Sequence, residues 1–144
     1  MADSLTLRLY HAARGYQDRV TRRLSEVLAE EHGIALSPAQ LAFLAALICG
    51  ETTTSEAARR TGVSRQAAHR QAAALAGLGY LALAPDPDRR NQSLVRFTGA
   101  GTRLMGLCRA ILADWDRALG DEAETLRRAA AIMAAALAQG DGDG

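Results

Sequence analysis

The sequence predicts a mainly α-helical protein with one small β-hairpin. The chain has 144 residues, of which 49% are hydrophobic and 23% charged, so it can form a packed core. Alanine and leucine are abundant and aromatic residues make up only 4%, which suits closely packed helices better than a β-sandwich. Apolar residues recur every three or four positions along most of the chain, whereas a period of two is confined to a short region after Gly79.

A long amphipathic helix is predicted near the start of the chain, from about Ser4 to Glu31, and Gly33 is expected to end it. Its apolar stripe consists of Leu5, Leu9, Ala13, Tyr16, Val20, Leu24 and Val27. Because a helix of this length exceeds what a small domain usually covers, we expect the stripe to be buried against something larger, such as a second subunit.

Three shorter helices follow, over residues 37–50, 53–61 and 64–78. Each starts with a serine or threonine that can cap it, and the first two have Gln or Glu three residues later, as a capping box requires. Gly62 is expected to supply the sharp turn between the second and third of these helices, and Val63 to enter the core.

A β-hairpin is predicted next, from strands at 80–84 and 93–97. Residues 85–88 read Pro-Asp-Pro-Asp and are expected to form the turn, because two prolines prevent regular pairing. Thr98 then caps a helix with Leu104, Cys108 and Ile111 on its apolar stripe. Gly120 separates that helix from a final one.

Positive charge is concentrated in the middle of the chain. All 17 basic residues are arginine, and the net charge is +1. Residues 59–96 contain seven arginines and two acidic residues, a local charge of +5, whereas the segments on either side carry −2 each. This pattern indicates a face that binds a polyanion, although a solvated basic surface would have the same composition.

The third short helix has a polar face at its N-terminal end, opposite an apolar face of Ala68, Ala72, Leu75 and Leu78. Two short helices joined by a glycine turn and followed by a β-hairpin describe a winged helix-turn-helix, whose second helix reads base edges in the major groove. Arginine can pair with guanine and glutamine with adenine, while a capping serine can touch a phosphate. The predicted major-groove set is Arg65, Gln66, His69 and Arg70, and Thr54 and Ser64 are predicted as further DNA contacts. An ordinary solvated helix face is the alternative.

The hairpin tip supplies a second predicted DNA contact, from Arg89 and Arg90. Arginine at the tip of a wing can enter a narrow minor groove, where the negative potential is enhanced. Asp88 is expected to hold the Arg90 guanidinium by a charge-assisted hydrogen bond. Alternatively, this pair only fastens the turn.

The segment from LSPAQLAFLAAL to DPDRRNQSLVRFTGAG resembles the MarR family of bacterial transcriptional regulators. The most specific part is Asp88-Arg89-Arg90 followed by Val-Arg-Phe-Thr at 95–98 and by Gly101. The resemblance implies a homodimer, joined through the first and last helices, with one recognition helix per subunit in successive major grooves of a pseudo-palindrome. It implies a regulator, expected to be a repressor, in which Arg90 enters the minor groove with Asp88 in support. Members often carry an arginine after the first wing strand, where this chain has Leu-Ala-Pro at 83–85.

The resemblance also implies the organisation of the chain and a binding pocket. We expect an N-terminal dimerisation helix at 1–36, a DNA-binding lobe at 37–98, C-terminal dimerisation helices at 99–139 and a frayed tail at 140–144. A small-molecule effector would bind between the dimer helices and the DNA-binding lobe. The candidate lining residues are Tyr10, His11, Arg14, Phe43 and Trp115. Core packing of the rings and surface roles for the other two are the alternatives.

Other classes of function find less support in the sequence. It contains no nucleophile elbow, zinc-protease, P-loop or dinucleotide fingerprint, so we expect no enzyme activity and no cofactor. Cys49 and Cys108 match no metal-binding or CxxC spacing, so no metal is expected. Two alternatives stay open: a helical dimerisation module without DNA binding, and a regulator that senses oxidants through cysteine. We expect a cytoplasmic protein, since no signal peptide is evident and the apolar run at 41–49 is too short to span a bilayer.

Overall fold

A computed structural model describes residues 3–47, 51–90 and 92–138. Its elements are α1 Leu5–His32, α2 Pro38–Ala45, β1 Thr52–Thr53, α3 Thr54–Thr61, α4 Arg65–Gly77, β2 Leu81–Pro85, β3 Ser93–Phe97, α5 Gly99–Leu119 and α6 Glu122–Ala135. The prediction of a mainly α-helical chain with a winged helix-turn-helix is therefore confirmed. The chain divides into two compact units, Met1–Met105 and Gly106–Gly144.

Side-chain caps start the helices where the sequence predicted them. The Ser4 hydroxyl accepts a hydrogen bond from the Leu7 N–H at 3.2 Å. At α2 the capping box is complete, since Ser37 Oγ accepts from the Gln40 N–H at 3.1 Å and Gln40 Oε1 accepts from the Ser37 N–H at 2.9 Å. Each such cap stabilises its helix by about 1 kcal/mol. These bonds fix where the chain enters each helix.

The second predicted capping box forms only in part. Thr53 Oγ1 accepts from the Glu56 N–H at 3.1 Å, as expected. The Glu56 carboxylate instead forms ion pairs with Arg59 and Arg60, one turn further along α3. Arginines three and four residues away compete for the carboxylate that the box would use.

The predicted hairpin is confirmed, within a sheet of three antiparallel strands in the order β1-β3-β2. The register of the hairpin runs from Leu81 opposite Phe97 to Pro85 opposite Ser93. Pro85 was predicted in the turn but is the last residue of β2. An edge strand tolerates proline at its end, because only the missing N–H is lost from the ladder.

A third strand, β1, was not predicted. It has two residues, which pair with Val95 and Leu94 of β3. Two residues are too few to show a period of two, so no sequence pattern marks this strand.

The core of the first unit collects side chains from every one of its helices. Two alanines of α3 and two of α4 are nearly or completely buried, so these two helices pack closely; they are Ala57, Ala58, Ala68 and Ala72. The large side chains that are almost fully buried are Leu28, Phe43, Leu44, Leu47, Leu75 and Val95. The helix that carries the predicted reading face is thus held by its apolar face.

Two residues predicted in the core lie at the surface. Val63 is 42% exposed and Leu78 is 53% exposed. Val63 follows Gly62, whose left-handed backbone ends α3 and turns the chain outward before α4 begins. Leu78 is the C-terminal cap residue of α4, one residue beyond the end of the helix.

The apolar stripe of α1 is buried only near its C-terminal end, at Leu24 and Val27. Towards the N-terminus, Leu5 and Tyr16 are 69% and 59% exposed. In the second unit, α6 contains no buried residue, and Leu126 and Ile132 on it are exposed. Both terminal helices therefore present large apolar side chains at the surface of the chain.

Some predictions fall outside the described residues, namely the end of the second helix at 48–50 and the tail at 140–144. Within the residues that are described, no helix is both long enough and apolar enough to cross a membrane.

Candidate nucleic-acid interface

The N-terminal end of α4 presents the predicted reading face to solvent. Gly62 ends α3 with a φ of 71°, a left-handed conformation that glycine adopts without strain. Ser64 then caps α4, its Oγ accepting from the Ala67 N–H at 3.0 Å. The hydroxyl proton of Ser64 stays available to an external acceptor such as a phosphate. Arg65, Gln66, His69 and Arg70 are all exposed.

An open cleft of about 450 Å³ runs along this face. Its lining residues are Thr54, Ser55, Arg65, Gln66, His69 and Arg70. Five of the six DNA contacts predicted outside the wing thus lie around one cleft. Ser64, the sixth, lines a neighbouring cleft of about 420 Å³ that shares Ser55 and Arg65 with the first.

Ser55 is a lining residue that the sequence analysis missed. It is the second residue of α3 and is half-buried, whereas its predicted neighbour Thr54 is only 7% exposed. The Ser55 hydroxyl is therefore the more accessible of the two. Its position next to a predicted helix cap was the available indication in the sequence, since N-terminal residues of a helix often face phosphates.

The basic residues of the segment 59–96 divide into paired and unpaired groups. Arg59 and Arg60 pair with Glu56, and Arg60 Nη1 also donates to the Ala46 carbonyl at 3.0 Å. Neither Arg65 nor Arg70 takes part in an ion pair within the described residues. No carboxylate lines either cleft. Within the two clefts, the arginines without an ion pair are therefore those of α4.

The wing turn is fastened by Asp86 and not by Asp88. Asp86 Oδ1 accepts from the Asp88 N–H at 2.9 Å, and the Asp86 N–H donates to the Gln92 carbonyl at 3.0 Å. This is the local turn that an aspartate forms with the backbone two residues on. The expected ion pair between Asp88 and Arg90 does not form among the described residues of the wing. Arg90, like Arg89, is exposed.

The wing turn is expected to depend on the side chain of Asp86 and not on that of Asp88. Asp86→Ala removes the acceptor that holds the turn, so we expect the free energy of opening the turn to fall by about 1 kcal/mol. Faster hydrogen exchange at the Asp88 amide would measure it. Asp88→Ala is the matched control and is expected to leave exchange unchanged. Faster exchange in the Asp88 variant alone would contradict the assignment.

Thr98 ties the start of α5 to the end of α4. Its Oγ1 donates to the Gly79 carbonyl at 2.5 Å and accepts from the Gly101 N–H at 3.1 Å. The Thr98 N–H donates to the Tyr80 carbonyl at 3.1 Å. Gly101 approaches this carbonyl so closely that a Cβ on it would lie 2.0 Å from the oxygen. The hydrogen-bonded junction at Thr98 therefore connects the chain that follows α4 to the first turn of α5.

The five candidate effector residues differ in their surroundings. Phe43 is 2% exposed and belongs to the core. Tyr10 and His11 are exposed, with ring centroids 5.5 Å apart in an edge-to-face arrangement, and Arg14 is exposed as well. Trp115 is half-buried and lies in the second unit. Neither of the two clefts above is lined by any of the five, so the effector pocket stays a prediction.

The cysteine hypothesis receives little physical support. Burial raises the pKa of the Cys108 thiol, which disfavours the reactive thiolate. Cys49 lies outside the described residues. In the part of the chain that the structure covers, no cluster of three or more His, Cys, Asp or Glu residues could hold a metal ion.

Residues 35–90, which run from the start of α2 to the wing, match the model of the MarR family. The sequence of this segment is therefore similar to that of MarR-family proteins. No curated protein matches the sequence significantly.

Several solved structures share the MarR fold. Wild-type apo MarR from E. coli is 24% identical, with a TM-score of 0.71 over 92% of this chain and 98% of that chain. A mutant of E. coli MarR complexed with operator DNA is 24% identical, with a TM-score of 0.63 over 88% and 91%. BpsR from Bordetella bronchiseptica, whose DNA binding is regulated by 6-hydroxynicotinic acid, is 21% identical, with a TM-score of 0.59 over 88% and 95%. At these identities, the likeness shows the fold alone.

Proposed function

We propose that the chain is a sequence-specific DNA-binding transcriptional regulator. The observation that carries this proposal is the exposed face of α4, where two arginines without ion pairs in the described residues flank Gln66 and His69 around an open cleft. Buried alanines and Leu75 hold the opposite side of the helix, so the face is presented from a rigid support. The operator-bound MarR structure, with the same fold, supports this reading.

The chemistry of the face matches the major groove of DNA. Arg65 and Arg70 can each donate two hydrogen bonds to N7 and O6 of guanine, and Gln66 can pair with N6 and N7 of adenine. Ser55 and Ser64 place hydroxyls at helix N-termini, where they can bind backbone phosphates. On the wing, Arg89 and Arg90 supply the minor-groove contact.

We propose that the protein acts as a homodimer. The apolar side chains exposed on α1 and α6 need a covering partner, because patches of this kind are uncommon on monomers. A two-fold dimer would place two recognition helices about one helical turn of DNA apart, and its operator would be a pseudo-palindrome. The two sets of terminal helices then serve as the dimerisation elements, and 37–98 as the DNA-binding lobe.

We further propose that the regulator is a repressor in the cytoplasm, and that a small molecule modulates its DNA binding. The regulation of BpsR by 6-hydroxynicotinic acid and a related structure with bound 2,4-dichlorophenol support an aromatic effector. Tyr10, His11, Arg14, Phe43 and Trp115 remain the proposed contacts. No feature of the described residues favours catalysis or a cysteine switch over this function.

Selection of bound sequences from a pool of random duplexes tests the proposal. We expect enrichment of a pseudo-palindrome that binds more weakly as salt rises, since phosphate contacts release counterions. Arg90→Ala should bind this duplex roughly tenfold more weakly, the effect of one lost charge-assisted hydrogen bond of about 1.5 kcal/mol. Arg109→Ala, an exposed arginine on α5, is the control and should bind normally.

Two results would contradict the proposed function and support one of the alternatives. If no duplex were enriched while the protein was folded and dimeric, it would be a helical dimerisation module instead. A peroxide-dependent loss of binding that disappeared in a double cysteine-to-serine variant would support the cysteine sensor.

A further inference from the structure

His69 is the one histidine among the residues that line the α4 cleft. Histidine titrates between about pH 5 and 8, whereas arginine stays charged and the other lining residues are uncharged. The chain has three histidines, and the other two lie on α1, at His11 and His32. A proton on His69 would therefore alter the charge of the reading face itself.

Few charged groups lie on the elements that pack around His69. Helix α4 packs against α3, α2 and β2. Neither α2 nor β2 contains a charged residue. On α3, Glu56 is held by Arg59 and Arg60. On α4 itself, the charged neighbours in the cleft are Arg65 and Arg70. No carboxylate in the cleft is placed to bind a protonated His69.

DNA supplies the acceptors that the cleft lacks. A neutral imidazole has one N–H donor and one acceptor nitrogen, whereas the imidazolium has two donors. Guanine presents two acceptors in the major groove, and the backbone presents anionic phosphate oxygens. A second N–H on His69 therefore gains a partner when DNA occupies the cleft.

We propose that DNA binding is coupled to the uptake of a proton by His69. The inference rests on the proposed function, since it assigns a regulation to the same face. Binding draws one proton from solvent onto the free ring nitrogen of each subunit, where a new N–H bond forms. Affinity is therefore highest when pH is low and falls as pH rises through the titration range of the imidazole, which makes the regulator responsive to intracellular acidification.

The sign and size of the effect follow from linkage. If DNA binds the form with a protonated His69 tenfold more tightly than the neutral form, protonation raises the affinity by at most tenfold per subunit. We expect affinity to rise about tenfold between about pH 8 and about pH 6, and further if both subunits contribute. The gain should saturate below the titration range.

Fluorescence anisotropy at constant ionic strength tests the coupling on the full-length protein. The probes are the duplex enriched by selection and a mixed-sequence duplex of about 30 base pairs, which spans two successive major grooves. His69→Gln should bind with an affinity that does not vary with pH. His69→Arg should bind independently of pH and more tightly than His69→Gln. His32→Gln, a control on α1, should keep the wild-type pH dependence.

Calorimetry in two buffers of different ionisation enthalpy measures the proton directly. We expect uptake in the wild type at about pH 7 and none in His69→Gln. An unchanged pH dependence in His69→Gln would overturn the inference, as would wild-type affinity that did not vary with pH, and the proposed function would still stand in both cases. Absence of binding at every pH would instead overturn the proposed function.

Discussion

Replacing Gly101 by alanine is expected to unfold the junction between α4 and α5. The added Cβ would lie 2.0 Å from the Tyr80 carbonyl oxygen and 3.0 Å from Cδ1 of Phe97. The oxygen belongs to backbone and cannot rotate away, so α5 or the β2 start must shift. Overpacking of this kind costs about 3 kcal/mol or more, which lowers Tm by roughly 10 °C in a chain of this size.

Gly99→Ala is the matched control, two residues earlier in the same helical turn. Its Cβ would meet only Arg103 Nη1 at 3.5 Å, an ordinary contact with a side chain that can move. Thermal unfolding followed by circular dichroism should show an unchanged or slightly higher Tm for this variant. If both variants unfolded at the wild-type temperature, the prediction that a Cβ at Gly101 clashes with the Tyr80 carbonyl would be wrong.

Removal of Arg65 or Gln66 is expected to cause the largest loss in DNA binding. Each residue lines the cleft and is exposed, and each can form two hydrogen bonds to one base. Truncation to alanine should cost about 1–3 kcal/mol per half-site and relax the preference for one base pair. In a dimer bound to a symmetric operator, this binding free energy would be lost at both half-sites.

Repeated selection with each variant would show which position loses its preference. We expect guanine to become unselected for Arg65→Ala and adenine for Gln66→Ala. The salt dependence should weaken only for the arginine variant, because glutamine releases no counterion. Arg127→Ala on α6, where the arginine pairs with Glu124, is the control for charge removal. Variants that selected the wild-type sequence with wild-type affinity would show that α4 does not read bases.

Local chemistry made the helices and the α4 face predictable from the sequence. Ser4, Ser37, Thr53 and Ser64 each satisfy an N–H of their own helix, and this requirement can be read without knowing the fold. The face of α4 followed from helical periodicity, since Ala68, Ala72 and Leu75 share the buried side.

Features that depend on distant residues were not predictable. The strand β1 forms because Thr52 and Thr53 meet β3, about forty residues away, and no local pattern records that pairing. The role of Asp86 in the wing is local, but Asp86 and Asp88 are both able to accept a hydrogen bond in the turn, so the sequence did not distinguish them. Whether the α1 stripe is covered depends on a second chain, because one chain leaves Leu5 and Tyr16 exposed.

Thr53 has two roles that join the wing to the helix-turn-helix. Its backbone belongs to β1 and pairs with Leu94 on β3, while its side chain caps α3. The strand that carries the wing is thus anchored to the helix that supports α4. If α4 and the wing contact DNA as proposed, the distance between the two contacts is fixed within one subunit. A base pair inserted between the major-groove and minor-groove determinants of a half-site would then put one of them out of reach.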